Sequence, residues 1–121
     1  MKVVIDSAIP YIAGVLEPYA EVVYRAGEQF SSSDVKDADA LIIRTRTRCD
    51  EALLEGSRVK LIATATIGFD HIDLQYCASQ GIEVVTAAGC NAAGVLQWVA
   101  ATLALLARTQ CWQPDQMRLG I

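Results

Sequence analysis

Five short apolar runs, separated by polar turns and stretches of helical spacing, limit what this chain can fold into. They are Lys2 to Ile5, Glu21 to Tyr24, Ala40 to Arg44, Val59 to Ala63 and Ile82 to Val85. Each is the length of a strand and rich in Val and Ile. Between the first two, Pro10 fits an early helical position, and Ile12, Val15, Leu16 and Tyr19 follow at helical spacing. Pro18 weakens the end of that helix. Gly27 opens a polar loop, and Ser33 is placed to cap a short helical turn. Asp50 is placed to cap Glu51 to Glu55, with Gly56 ending it; Asp70 does the same for His71 to Ser79, with Gly81 as a left-handed end. From Asn91 to Thr109 the spacing predicts a long helix, apolar around much of its circumference and so expected to be buried on two sides. Strands alternating with helices through short turns predict an α/β fold. The expected architecture is a flavodoxin-like parallel sheet in the order 2-1-3-4-5 with flanking helices.

Length fits one domain over residues 1–121. With 53% hydrophobic and 20% charged residues the composition is that of a core-rich globular chain. The net charge of -4 points away from nucleic acid and anionic membrane as partners. Lys2 leads into three apolar residues and then Asp6, too short for the apolar region of a signal peptide. The longest apolar stretch, Val95 to Ala107, is interrupted by Gln97 and is read as too short to span a membrane. A cytoplasmic protein is expected. Cys49, Cys77, Cys90 and Cys111 are widely spaced and read as buried or half-buried free thiols, not as a metal site.

The stretch Leu61 to Asp73, LIATATIGFDHID, is the expected functional centre. A strand breaks into Thr64-Ala65-Thr66, turns at Gly68, where a positive φ or close ligand approach is possible, and enters a helix capped by Asp70. That makes a polar pocket at the carboxyl end of a sheet, where open α/β folds bind small ligands. Arg44-Thr45-Arg46-Thr47-Arg48 follows the third strand. If extended, it points its three guanidinium groups one way and its two hydroxyls the other, an arrangement suited to carboxylate or phosphate.

TATIGFDHID, followed by AAGCNAAGV, with VIDSAIPY, IIRTRT and the terminal RLGI in the same order, resembles the substrate domain of the D-2-hydroxyacid dehydrogenases. The resemblance covers essentially the whole chain. His71 stands where the superfamily usually has Asn, which resembles a branch acting on a phosphorylated 2-hydroxy acid. The resemblance implies an NAD-dependent oxidoreductase in which Arg44, Thr45, Thr66, Ile67 and Gly68 contact a small anionic phosphorylated substrate. Arg46 and Arg48 read as a solvated strand end; for Thr64 a substrate contact and local turn bonding stay equally open, and turn bonding is also the alternative for Thr66. His71, in the first turn of a helix, reads as structural, its pKa lowered by the helix dipole. Asp70 and Asp73 read as cap and first-turn carboxylates, and Asn91 as a cap facing the cleft between domains. Gln97 departs from the family's Glu, and Trp98 and Trp112 read as core or interface anchors.

Arg118 to Ile121 reads as the opening of a further strand, and G-x-G-x-x-G does not occur. Gly89 to Gly94 lacks the Lys-Ser/Thr of a P-loop. The expectation is a piece ending where a nucleotide-binding domain begins, with NAD and the family's catalytic Arg, Glu and His outside it. No catalytic, cofactor-binding or metal-binding residue is therefore expected within it. A homo-oligomer is expected, because the long apolar helix would otherwise face water. Two other readings remain open: a phosphoglycerate or glycerate dehydrogenase on the same scaffold, and a non-enzymatic flavodoxin-like binding module. A receiver domain would need an acceptor Asp where Thr45 stands.

Overall fold

The protein is described here as a computed structural model that covers residues 1–110, Gln113 and Arg118. It forms two compact units, one of Met1–Ala88 and one beginning at Gly89. The first unit holds a parallel five-stranded sheet: β1 Lys2–Asp6, β2 Glu21–Arg25, β3 Ala40–Ile43, β4 Leu61–Thr64 and β5 Glu83–Thr86. The spatial order is β2-β1-β3-β4-β5, as the alternation of strands and helices predicts. Short helices α1 Ser32–Val35, α2 Glu51–Leu54 and α3 Leu74–Ser79 join the strands. Among the described residues, the second unit holds one long helix, α4 Ala92–Gln110.

Register explains why the sheet has two different faces. Val23, Val4, Leu41, Ile62 and Val84 are paired across the five strands and therefore point the same way. They meet Val35 of α1, Leu53 and Leu54 of α2 and Cys77 of α3, together with Cys49, Val59, Ile72 and Ile82. At roughly 1.5–3 kcal/mol for each large side chain removed from water, this face is the main source of the unit's stability. The opposite row, with Val3, Ile5, Ala40 and Ile42, packs under Ile9, Ile12, Leu16 and Ala20.

The segment covering that second face is not the helix expected after Pro10. It is a run of turns, with single backbone bonds such as Val15 N to the Ile12 carbonyl and Ala20 N to the Leu16 carbonyl. Tyr11 and Gly14 take φ of 60° and 84°, outside the helical region, and Pro18 has no N–H to continue a ladder. The apolar residues of this stretch still face the sheet, so their spacing reported burial rather than a helix.

Other boundaries moved for local reasons. Ser31, not Ser33, caps α1, in a reciprocal capping box with Asp34. Asp50 caps α2 as expected, accepting from Leu53 N, and Gly56 and Gly81 take left-handed φ. Asp73 caps α3 in place of Asp70, because residues 71–73 are held in a bridge between Cys49 and Ile72. β4 begins at Leu61 and runs on to Thr64, whose side chain is buried.

Helix α4 follows its predicted bounds within one residue. Its expected burial does not hold: none of its residues is buried, and Trp98 is 69% exposed. By length and composition it is also long and apolar enough to cross a membrane, which corrects the expectation drawn from Gln97; Arg108 is its one charged residue. Asn91 presses its side chain over the first turn, with Oδ1 2.6 Å from where a Gly94 Cβ would stand. Cys49 and Cys77 are buried free thiols, and burial pushes the Cys49 thiol up to about 12; Cys90 is exposed, against expectation. Cys111, Trp112 and the strand expected over 118–121 lie outside the described residues, Arg118 excepted.

Candidate functional site at the carboxyl edge of the sheet

The strand order reverses between β1 and β3, and the crevice beyond their carboxyl ends is where an open α/β sheet has room for a ligand. A cleft of about 390 Å³ occupies that position, lined by Asp6, Ser7, Gly27, Glu28, Arg44 and Thr45 among others. Asp6 ends β1 with its side chain 1% exposed, and its Oδ1 accepts from Ala8 N at 2.9 Å. Gly27 is needed here: a Cβ would stand 2.7 Å from Asp6 Oδ2 and 3.1 Å from Thr47 Oγ1. Thr47 is buried and donates to the Gly27 carbonyl at 3.0 Å, tying the β3 loop to the β2 loop.

The Arg44 to Arg48 segment is a turn, not an extended strand end. Thr47 N donates to the Arg44 carbonyl at 3.2 Å, so the expected split of arginines to one side and threonines to the other does not occur. Thr47 points inward, while Thr45 stays exposed. Arg44 donates to the Ala8 carbonyl at 3.1 Å. Arg46 pairs with Glu28 and Arg48 with Asp50, and both guanidinium groups remain largely solvated, in line with the reading of a solvated strand end. Such exposed pairs contribute little to stability.

Beside the first cleft lies a second, lined by Thr45, Arg46, Arg48, Asp70 and His71. Thr45 belongs to both. Behind it runs a chain of side-chain contacts from β4. Thr64 Oγ1 lies 2.7 Å from Thr66 Oγ1 and 3.4 Å from His71 Nε2, and Thr66 Oγ1 donates to the Gly68 carbonyl at 3.1 Å. Both hydroxyls thus make the local bonds raised as an alternative for Thr64 and Thr66. Ile67 is 65% exposed, and Gly68 keeps an ordinary φ, with Asp70 Oδ1 3.9 Å from where a Cβ would stand. Of the two possibilities raised for Gly68, a positive φ or close ligand approach, the first does not occur. Ala87 N donates to the Thr66 carbonyl at 3.1 Å and anchors this loop to the exit of β5.

His71 sits before α3, not in its first turn, because its carbonyl accepts from Cys49 N at 2.8 Å in the short bridge. The pKa is lowered as expected, with burial as the main cause and Asp70 opposing it. Of the five expected contact residues, Arg44 and Thr45 line the first cleft, while Thr66, Ile67 and Gly68 lie in the loop after β4 and line neither of these two clefts. Sequence reasoning missed Asp6, Gly27 and Thr47. The available signal was an Asp closing an apolar strand, but nothing local tells that residues 6, 27 and 47 meet.

A family model described as D-isomer specific 2-hydroxyacid dehydrogenase, catalytic domain, matches residues 2–111. The chain belongs to this dehydrogenase family. Among relatives of the family, the erythronate-4-phosphate dehydrogenase of Bacteroides fragilis strain YCH46 is 55% identical over 122 residues, which is 100% of this chain and 35% of that protein. The enzyme of the same name from Bacteroides thetaiotaomicron is 52% identical with the same coverage. The chain thus spans about a third of the length of these curated relatives. Among solved structures, an NAD+-bound 3-phosphoglycerate dehydrogenase from Entamoeba histolytica superimposes with a TM-score of 0.64 at 26% identity, covering 93% of this chain and 41% of that one. The fold and the family read from TATIGFDHID and IIRTRT are those found.

Proposed function

We propose that this chain is the substrate-binding part of an NAD-dependent erythronate-4-phosphate dehydrogenase, a protein that oxidises the C2 hydroxyl of 4-phospho-D-erythronate to the 2-oxo acid in pyridoxal phosphate biosynthesis. The observation that carries this reading is the 55% identity to a relative of that name across the whole of this chain. Residues 1–121 then form one substrate domain leading into a nucleotide-binding domain. NAD is held outside this chain, whose residues contain no Gly-rich turn of the kind that cradles a pyrophosphate. The protein is cytoplasmic and homo-oligomeric, with no nucleic-acid or membrane partner. Helix α4 is the connection between domains.

Within the chain, Arg44 and Thr45 meet the substrate from the first cleft, and Thr66 and the backbone of Ile67 and Gly68 meet it from the loop after β4. The guanidinium of Arg44 supplies forked donors to an anionic oxygen. Backbone N–H groups at Ile67 and Gly68 suit the same task, since Gly68 brings no side chain of its own to the loop. The hydride and proton steps belong to residues outside this chain.

The test is a steady-state assay of the longer protein that carries this chain. NADH should form with 4-phospho-D-erythronate at a kcat/KM well above that with 3-phosphoglycerate or D-glycerate. Preference for either of the latter would overturn the substrate assignment. The isolated chain should show no turnover.

A further inference from the structure

We infer that His71 is a positioning residue that fixes the direction of the Thr66 hydroxyl, and that Thr66 therefore faces the substrate as an acceptor for a substrate hydroxyl. The inference rests on Thr66 being a substrate contact, as proposed above.

Proton counting along the chain of contacts decides the direction. The Gly68 carbonyl can only accept, so the single proton of Thr66 is committed to it at 3.1 Å. The 2.7 Å contact between Thr66 Oγ1 and Thr64 Oγ1 then needs the proton of Thr64. Thr64 has no second proton, so its 3.4 Å contact with His71 requires the ring to donate through Nε2–H. The order is His71 to Thr64 to Thr66 to the Gly68 carbonyl. Thr66 keeps one free lone pair, which accepts a carbinol O–H and repels the oxygens of a carboxylate or phosphate.

The surroundings hold this arrangement in place. Thr64 is 3% exposed, so its hydroxyl has little access to water and depends on these two neighbours. The His71 carbonyl and Ile72 are held against Cys49, which fixes the ring's base. Burial lowers the His71 pKa against a smaller opposing effect of Asp70, so the ring is neutral near pH 7 and its tautomer matters. With an Nδ1–H tautomer the relay would reverse, Thr66 would donate toward Thr64, and the Gly68 carbonyl would lose its partner.

His71 is the chain's only histidine, so its ring signals need no assignment. In 15N NMR of this chain near pH 7.5, the neutral ring is expected as the Nε2–H tautomer; an Nδ1–H ring overturns the inference without reference to any substrate. In the longer protein, His71→Gln can place an amide N–H near the position of Nε2, whereas the shorter His71→Asn cannot. His71→Asn is expected to raise KM for 4-phospho-D-erythronate roughly three- to tenfold, with kcat changed less, and His71→Gln to restore most of the loss. Equal KM values for the two variants overturn the inference. If 4-phospho-D-erythronate is no substrate at all, the functional proposal fails, and the tautomer still decides the relay.

Discussion

The two faces of the sheet are built from the same strands and yet differ in what covers them. One row of side chains lies beneath three short capped helices, and Val4, Leu41 and Ile62 at its centre are fully buried. The other row, Val3, Ile5, Ala40 and Ile42, lies beneath turns, and the residues packing on it, Ile9, Ile12 and Leu16, are only half-buried. The difference teaches that alternation along a strand guarantees two faces and says nothing about the quality of their cover. Helices with Asp50 and Asp73 as caps satisfy their own first-turn N–H groups and bring Leu53, Leu54 and Cys77 down together. Turns with Tyr11 and Gly14 at positive φ deliver one apolar side chain at a time.

The sharpest way to break the comparison is a pair of truncations on opposite faces. Leu41→Ala under the helices should cost about 2–5 kcal/mol, as buried leucines do. Ile42→Ala, its neighbour on the half-buried face, should cost clearly less in the same urea unfolding experiment. Equal losses would show that the turns cover their face as tightly as the helices do.

Gly27→Ala probes the rim, where the loops after β2 and β3 meet. The added methyl would stand 2.7 Å from Asp6 Oδ2, and overpacking of this kind costs about 1–3 kcal/mol. A Gly56→Ala control has open space but a φ of 67°, so any loss there reports backbone strain alone. Unfolding midpoints separate the two, and an unchanged midpoint for Gly27→Ala would mean that Asp6 moves aside freely.

Removing a cap sharpens the account of the helical face. Asp73→Ala should lower stability by about 1 kcal/mol, and Asp70→Ala by less, since Asp73 Oδ1 is the one that accepts from Tyr76 N at 2.9 Å. The reverse ranking would restore the cap assignment that sequence alone suggested.

The smallest expected effect is with pH. The folded pKa of His71 lies below its unfolded value near 6.5, so the unfolded chain binds more protons in the window between them. Stability should be full above that window and decline as pH falls through 6.5, flattening once the folded ring is also protonated. The carboxylates held low by partners, such as Asp34 with Ser31 and Arg25, act in a separate and more acidic range. His71→Gln should remove the upper part of the slope while leaving the lower part intact.

The sequence by itself determined the strands, their parallel order and the family, because each rests on local signals: apolar runs of strand length, turns between them, and the motifs TATIGFDHID and IIRTRT. It also determined one helix start, Asp50, and two stops, Gly56 and Gly81, where one residue's side chain or φ suffices. Only the tertiary structure decided what the apolar spacing after Pro10 becomes, since facing a sheet at every third or fourth residue is compatible with turns as well as with a helix. It alone decided that Asp73 caps α3, because the bridge from Cys49 to Ile72 holds the preceding residues in extended form. And it alone joined Asp6 to Gly27 and Thr47, and His71 to Thr64 and Thr66. Those contacts cross strands or loops, and their geometry depends on which edges of the sheet are adjacent, a quantity that no local run of residues contains.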